Sequence, residues 1–173
     1  MIATEVEDPT YTRFAGCPKG RVCRYSDSSR ALYAGTQSSA GDSIAITSAP
    51  NIPNNLTVTG YTRLANEGTG ELAVRDPVNK VGRTTGWTQA AVSRSCVDTG
   101  VSGSKIVQLC QYWVSHTTAQ IVGGGDSGSS VWTGSGNNAT LVGLLWGGSS
   151  DNRTFIYSPW SGVERELGNL TLQ

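Results

Sequence analysis

The sequence predicts an all-β protein that closes on a single C-terminal helix, a pattern that limits the architecture to sandwich or barrel types. Three observations carry this. Short β-branched and aromatic runs alternate with Gly, Ser, Asn and Pro turns along most of the 173 residues. The run Leu141-Val142-Gly143-Leu144-Leu145-Trp146 is almost continuously apolar, as a strand in a barrel wall would be. Convincing helical spacing occurs once, near the end.

In chain order, Ser43-Ile44-Ala45-Ile46-Thr47 is the only clear strand in the turn-rich segment 36–55. Residues 65–70 read as a loop, and Val74, Val78 and Val81 sit among turn residues. Ala91-Val92-Ser93 and residues 106–114 are stronger strands, and Thr154-Phe155-Ile156-Tyr157 is another. For the helix, Ser158 can cap, Pro159 suits the first turn and Gly168 can terminate. Trp160, Val163 and Leu167 then share one face that would dock on the body. A boundary between two β units is expected near residues 76–80, giving units 1–78 and 79–173.

Lys plus Arg total 13 and Asp plus Glu 13, so the net charge is zero. That balance suggests no nucleic acid partner and no anionic membrane surface. No apolar run approaches the roughly 18 residues that would cross a bilayer. Residues 1–5 have neither the basic start nor the apolar centre of a signal peptide.

The four cysteines permit three pairings, of which the local one, Cys17–Cys23 with Cys96–Cys110, is favoured. Their spacing fits no metal knuckle and the chain has one histidine, so neither a metal nor another cofactor is expected. An even cysteine count in a Gly-, Ser- and Thr-rich chain points to an oxidising compartment and a secreted, extracellular protein.

The chemistry concentrates in Gly123-Gly124-Gly125-Asp126-Ser127-Gly128-Ser129-Ser130-Val131-Trp132. A serine hydroxyl attacks poorly until a base takes its proton and donors hold the developing oxyanion. Glycines beside the serine let backbone N–H groups converge on one point, because they adopt dihedrals closed to other residues. A plain Gly-Ser turn in a β protein is the competing reading.

With the apolar strand ending Leu145-Trp146-Gly147-Gly148 downstream, this order resembles the chymotrypsin-like serine peptidases, and their bacterial, streptogrisin-like branch in particular. Gly82-Arg83-Thr84-Thr85-Gly86-Trp87, Cys23-Arg24-Tyr25-Ser26-Asp27 and the C-terminal helix add to the likeness. The resemblance implies a double β-barrel, its first barrel incomplete and its second complete, acting on protein or peptide substrates. It makes Ser127 the nucleophile and the N–H groups of Gly125 and Ser127 the oxyanion hole. Asp126 becomes a buried structural carboxylate with Arg83 as its ion-pair partner, ordinary exposure of Arg83 being the alternative.

The same resemblance makes Leu145, Trp146 and Gly147 the strand that pairs with substrate backbone. Trp146 also reads as core packing. Ile121 and Phe155 fall at the floor of the specificity pocket, where their apolar character argues against a preference for Lys or Arg. Asp27 matches the carboxylate that orients the imidazole. As alternatives, Asp27 is a turn residue and Asp42 takes that role.

One departure matters. The family's base is a histidine upstream of this aspartate, and the single histidine here, His116, lies far downstream. It is expected to be a loop residue near the pocket rim. If residues 2–6 match a strand that follows the histidine, the strands bearing it are missing and a separate N-terminal segment would have to supply it. Two further readings stay open: a non-catalytic peptidase relative that binds extended peptides, and a carbohydrate-binding β domain with Trp87, Trp113, Trp132 and Trp160 as stacking platforms.

Overall fold

A computed structural model describes residues 3–35 and 41–172. Residue Ile2 of the first expected strand and residues 36–40 of the turn-rich segment lie outside them. The described residues form eleven strands and one α-helix, besides a 3-10 turn at Gly136–Asn138: β1 (Ala3–Glu7), β2 (Val22–Arg24), β3 (Arg30–Tyr33), β4 (Ser43–Ile46), β5 (Gly60–Glu67), β6 (Pro77–Gly82), β7 (Gly86–Gly100), β8 (Ile106–Ser115), β9 (Ser130–Thr133), β10 (Ala139–Gly148), β11 (Thr154–Pro159) and α1 (Trp160–Leu167).

Six of these strands close on themselves. Antiparallel pairing runs β6–β7–β8–β11–β10–β9 and returns from β9 to β6, which leaves no free edge around the ring. Side chains alternate across each strand, so every second residue enters the barrel. Val78, Val92, Tyr112, Val114, Ile121, Val131, Val142, Leu145, Phe155 and Tyr157 meet there in one apolar core.

The helix covers the barrel's outer side. Trp160, Val163 and Leu167 pack on Leu64, Trp132, Ala139 and Leu141, as their spacing predicts. Gly168, at φ 76°, ends the helix in a conformation that favours glycine. Ser158 is not the cap. Pro159 occupies that position without a side-chain bond, and the Ser158 hydroxyl is committed elsewhere.

The N-terminal part is built differently. Among the described residues, β1 and β3 form an isolated two-stranded sheet, and β2 adds to β8 in parallel. Strand β5 joins the barrel wall by parallel pairing with β10, and β4 follows it. Residues 65–67, expected in a loop, continue β5, and β6 opens at Pro77, within the segment 76–80. On and beside the small sheet, Leu32 and Tyr33 are 62% and 57% exposed, so this unit buries little of its own apolar surface. Among the described residues, then, strands β6 to β11 close into a barrel and the N-terminal strands do not close into one of their own.

Disulfides join Cys17 to Cys23 and Cys96 to Cys110. The second ties β7 to β8 where β7 bulges repeatedly.

Candidate active site

Ser127 is exposed in the turn between Val122 and β9, and its hydroxyl lies 3.3 Å from the Trp146 carbonyl. Beneath it, Asp126 is fully buried. Its Oδ1 accepts from the Thr84 and Thr85 amides at 2.7 and 3.3 Å. Its Oδ2 accepts from Lys80 Nζ at 2.9 Å, Thr85 Oγ1 at 2.7 Å and the Gly123 amide at 3.0 Å. Burial alone would raise this carboxyl's pKa, but the bonds from Thr85, Lys80 and Thr84 outweigh it and hold the group below the usual carboxylate range. Burial likewise holds Lys80 below the ordinary lysine value, with Asp126 opposing the shift.

The partner of Asp126 is therefore Lys80, which corrects the assignment to Arg83. The physical reason is strand alternation. Lys80 shares the inward face of β6 with Val78, whereas Arg83 stands in the β6–β7 turn and points outward. Arg83 instead packs over Gly125, where an added Cβ would come within 2.8 Å of its Nε. Gly82 is equally constrained, since a Cβ there would lie 2.3 Å from Asp126 Oδ1.

Two trans peptides aim the amides beside Ser127. The Gly124 carbonyl accepts from Thr84 Oγ1 at 2.6 Å, so the N–H of Gly125 in the same peptide unit points the opposite way. The Asp126 carbonyl accepts from Ser129 Oγ and the Ser129 amide, which sets the N–H of Ser127 in the same manner. Among the described residues neither N–H has a protein acceptor, whereas the amides of Gly123, Asp126, Gly128 and Ser129 all do. Gly125, at φ 98°, makes the turn possible.

Asp27 and Ser127 line one cavity of about 230 Å³, together with Glu5, Asp8, Ser28, Leu145 and Trp146. Asp27 is held from two sides. Its Oδ1 accepts from the Tyr11 hydroxyl at 3.2 Å, and its amide donates to Ser158 Oγ at 3.1 Å. Burial and the facing Asp27 push the Tyr11 phenol up to about 12, so it stays a donor. The segment before Asp27 is anchored to α1: Glu166 accepts from Arg24, the Tyr25 amide and Ser26. Asp42 lines neither this cavity nor the adjoining groove, and it faces Arg63 instead.

A buried glutamine connects these parts. Gln111 Oε1 accepts from the Trp146 indole at 2.7 Å and from Ser158 Oγ at 2.8 Å, while its Nε2 donates to the Tyr25 carbonyl at 2.9 Å. The orientation of Trp146 and the placing of Asp27 thus share one side chain. Two glutamines, Gln108 and Gln111, interrupt the otherwise apolar and aromatic run 106–114, and a polar side chain placed there is the signal that could have revealed it.

Beyond Trp146 the cavity meets a larger groove of about 770 Å³, bordered by Gly147, Gly148 and Ile156. Ile121 and Phe155 line neither space; both are fully buried in the barrel core, which corrects their assignment to a specificity pocket. Phe155 faces inward on β11, and the next residue, Ile156, faces the groove: one residue along a strand exchanges faces. Leu145 borders the smaller cavity while remaining in the core, and half-buried Trp146 borders both spaces. His116 lies in a turn, its Nδ1 accepting from the Ala119 and Thr118 amides, and it lines neither space.

No protein-family model matches the sequence, and no curated protein does. Solved structures do. Thermobifida fusca Protease A has a TM-score of 0.61 at 18% identity, over 99% of this chain and 78% of that one. A glutamic acid specific serine protease, described as using a histidine triad in substrate binding, has a TM-score of 0.60 at 18% identity, over 80% of this chain and 63% of that one. A Nocardiopsis protease has a TM-score of 0.52 at 22% identity, over 66% of this chain and 56% of that one. The chain spans less than two thirds of the latter two proteins. The fold is that of the bacterial chymotrypsin-like serine proteases.

Proposed function

We propose that this chain carries the nucleophile, oxyanion hole and orienting carboxylate of a secreted serine endopeptidase working through an acyl-enzyme. The carrying observation is that the amides of Gly125 and Ser127 are oriented by their own peptide units yet have no acceptor among the described residues, beside an exposed hydroxyl. In this reading Ser127 Oγ attacks a peptide carbonyl, and the two N–H groups hold the tetrahedral oxyanion. Leu145, Trp146 and Gly147 present the strand along which the peptide lies. Asp27 holds the imidazole that takes the serine proton and passes it to the leaving amine.

That imidazole comes from a separate histidine-bearing segment docking on the small β1–β3 sheet. Two features support this: the exposed Leu32 and Tyr33 there, and a cavity between Asp27 and Ser127 with no base among its lining residues other than carboxylates. The first unit extends to the start of β6, and the second takes the closed barrel from β6 to the C-terminal helix. The two disulfides support an extracellular setting.

The second reading, a non-catalytic peptide binder, is favoured by the position of His116. Sugar stacking is disfavoured, since Trp132 and Trp160 are buried in the contact between α1 and the barrel. Fluorophosphonate labelling, with and without an added histidine-bearing segment, tests the proposal. Labelling lost in Ser127→Ala supports the peptidase; none under either condition leaves the binder.

A further inference from the structure

The larger groove carries a charge that acyl transfer does not use. Its walls include Val97, Ile106, Trp113, Trp146 and Ile156, and among its lining residues Arg94 is the only cation. The Arg94 guanidinium lies 5.0 Å from the Trp113 ring centroid, and the ring is itself held by a 2.9 Å bond from its indole N–H to Thr99 Oγ1. The nearby Cys96–Cys110 disulfide fixes the segment that carries this arginine.

Among the described residues no carboxylate pairs with Arg94, and its guanidinium donates no hydrogen bond to the protein. The two carboxylates that share the groove are engaged. Asp98 Oδ1 accepts from the Cys110 amide at 3.0 Å, and Asp27 Oδ1 accepts from Tyr11. They make the rest of the groove unfavourable to an anion and leave Arg94 as the place for one. A stacked guanidinium with free donors is a preformed partner for a carboxylate, because little side-chain freedom remains to be lost on pairing.

We infer that the groove takes an extended peptide along Trp146–Gly148 and that Arg94 selects a Glu or Asp side chain at one position of it. This deepens the peptide-binding reading of the Trp146 strand and rests on it. The apolar walls bind the peptide, and Arg94 sets which charge it bears.

The test uses the oxidised, full chain and fluorescence anisotropy with labelled extended apolar peptides. Each peptide carries one Glu, or its isostere Gln, at a scanned position. The expected result is one position at which Glu binds about fivefold tighter than Gln, with the difference shrinking as salt is added. Arg94→Gln abolishes that difference, while Arg94→Lys keeps part of it. A Glu preference that survives in Arg94→Gln overturns the inference, as does equal binding of Glu and Gln peptides at every position. Failure of all peptides to bind overturns the groove reading and this inference with it, whereas Ser127 labelling is decided separately.

Discussion

Lys80 Nζ lies 2.9 Å from Asp126 Oδ2, and both side chains are wholly withdrawn from solvent under the turn that carries Ser127. Five donors converge on that one carboxylate, drawn from β6, the β6–β7 turn and the Gly123 amide. The turn is thereby fastened to the barrel from below, and the residue next to Ser127 cannot shift without breaking several bonds together.

Breaking this pair from one side is expected to be severe. Asp126→Asn or Lys80→Met should each destabilise the protein by about 3–5 kcal/mol, because the remaining charge is left buried without its partner. Arg83→Ala should cost less than about 1 kcal/mol, since Arg83 is exposed and outside the pair. Urea denaturation of the three variants checks the ordering.

Acid should act through the same carboxylate. Asp126 is held below its ordinary value in the folded state, so its contribution is complete above the usual carboxylate pKa and is lost as pH falls through the lower, folded one. The stability difference between the parent chain and Asp126→Asn should therefore be constant near neutrality and shrink below about pH 4. Denaturation curves across that range measure it.

Gly82→Ala should destabilise by about 1–3 kcal/mol, since the new methyl would press on the Asp126 carboxylate that five donors already fix. Gly124→Ala, where nothing stands within 4 Å of the added carbon, should be nearly neutral. Thermal denaturation of the two variants compares them.

Gln111→Leu should leave the Trp146 indole, Ser158 and the Tyr25 carbonyl without their shared partner, at about 1–3 kcal/mol for each group that stays buried and unpaired. Near-ultraviolet circular dichroism should change with it, and the change should be absent when the same substitution is made in a Trp146→Phe background.

Much of this architecture was legible before any coordinates. Apolar runs became β8, β10 and β11, the spacing of Trp160, Val163 and Leu167 became the docked face of α1, and the local cysteine pairs formed. What escaped depended on which face or which turn a side chain occupied. Lys80 and Arg83 are nearly neighbours, and only the hairpin's register sends one inward and the other out. Phe155 and Ile156 differ by one step along β11, enough to exchange core for groove. Ser158 suits a helix cap by type, yet Gln111, far off in sequence, claims its hydroxyl.

The central claim is that two backbone amides and the Ser127 hydroxyl converge on a single tetrahedral centre. A peptide boronic acid tests it directly, because boron becomes tetrahedral when a serine oxygen adds to it. Boron-11 NMR of the complex should show a tetrahedral signal that Ser127→Ala removes. A signal that stays trigonal, or one that survives in Ser127→Ala, would contradict the account.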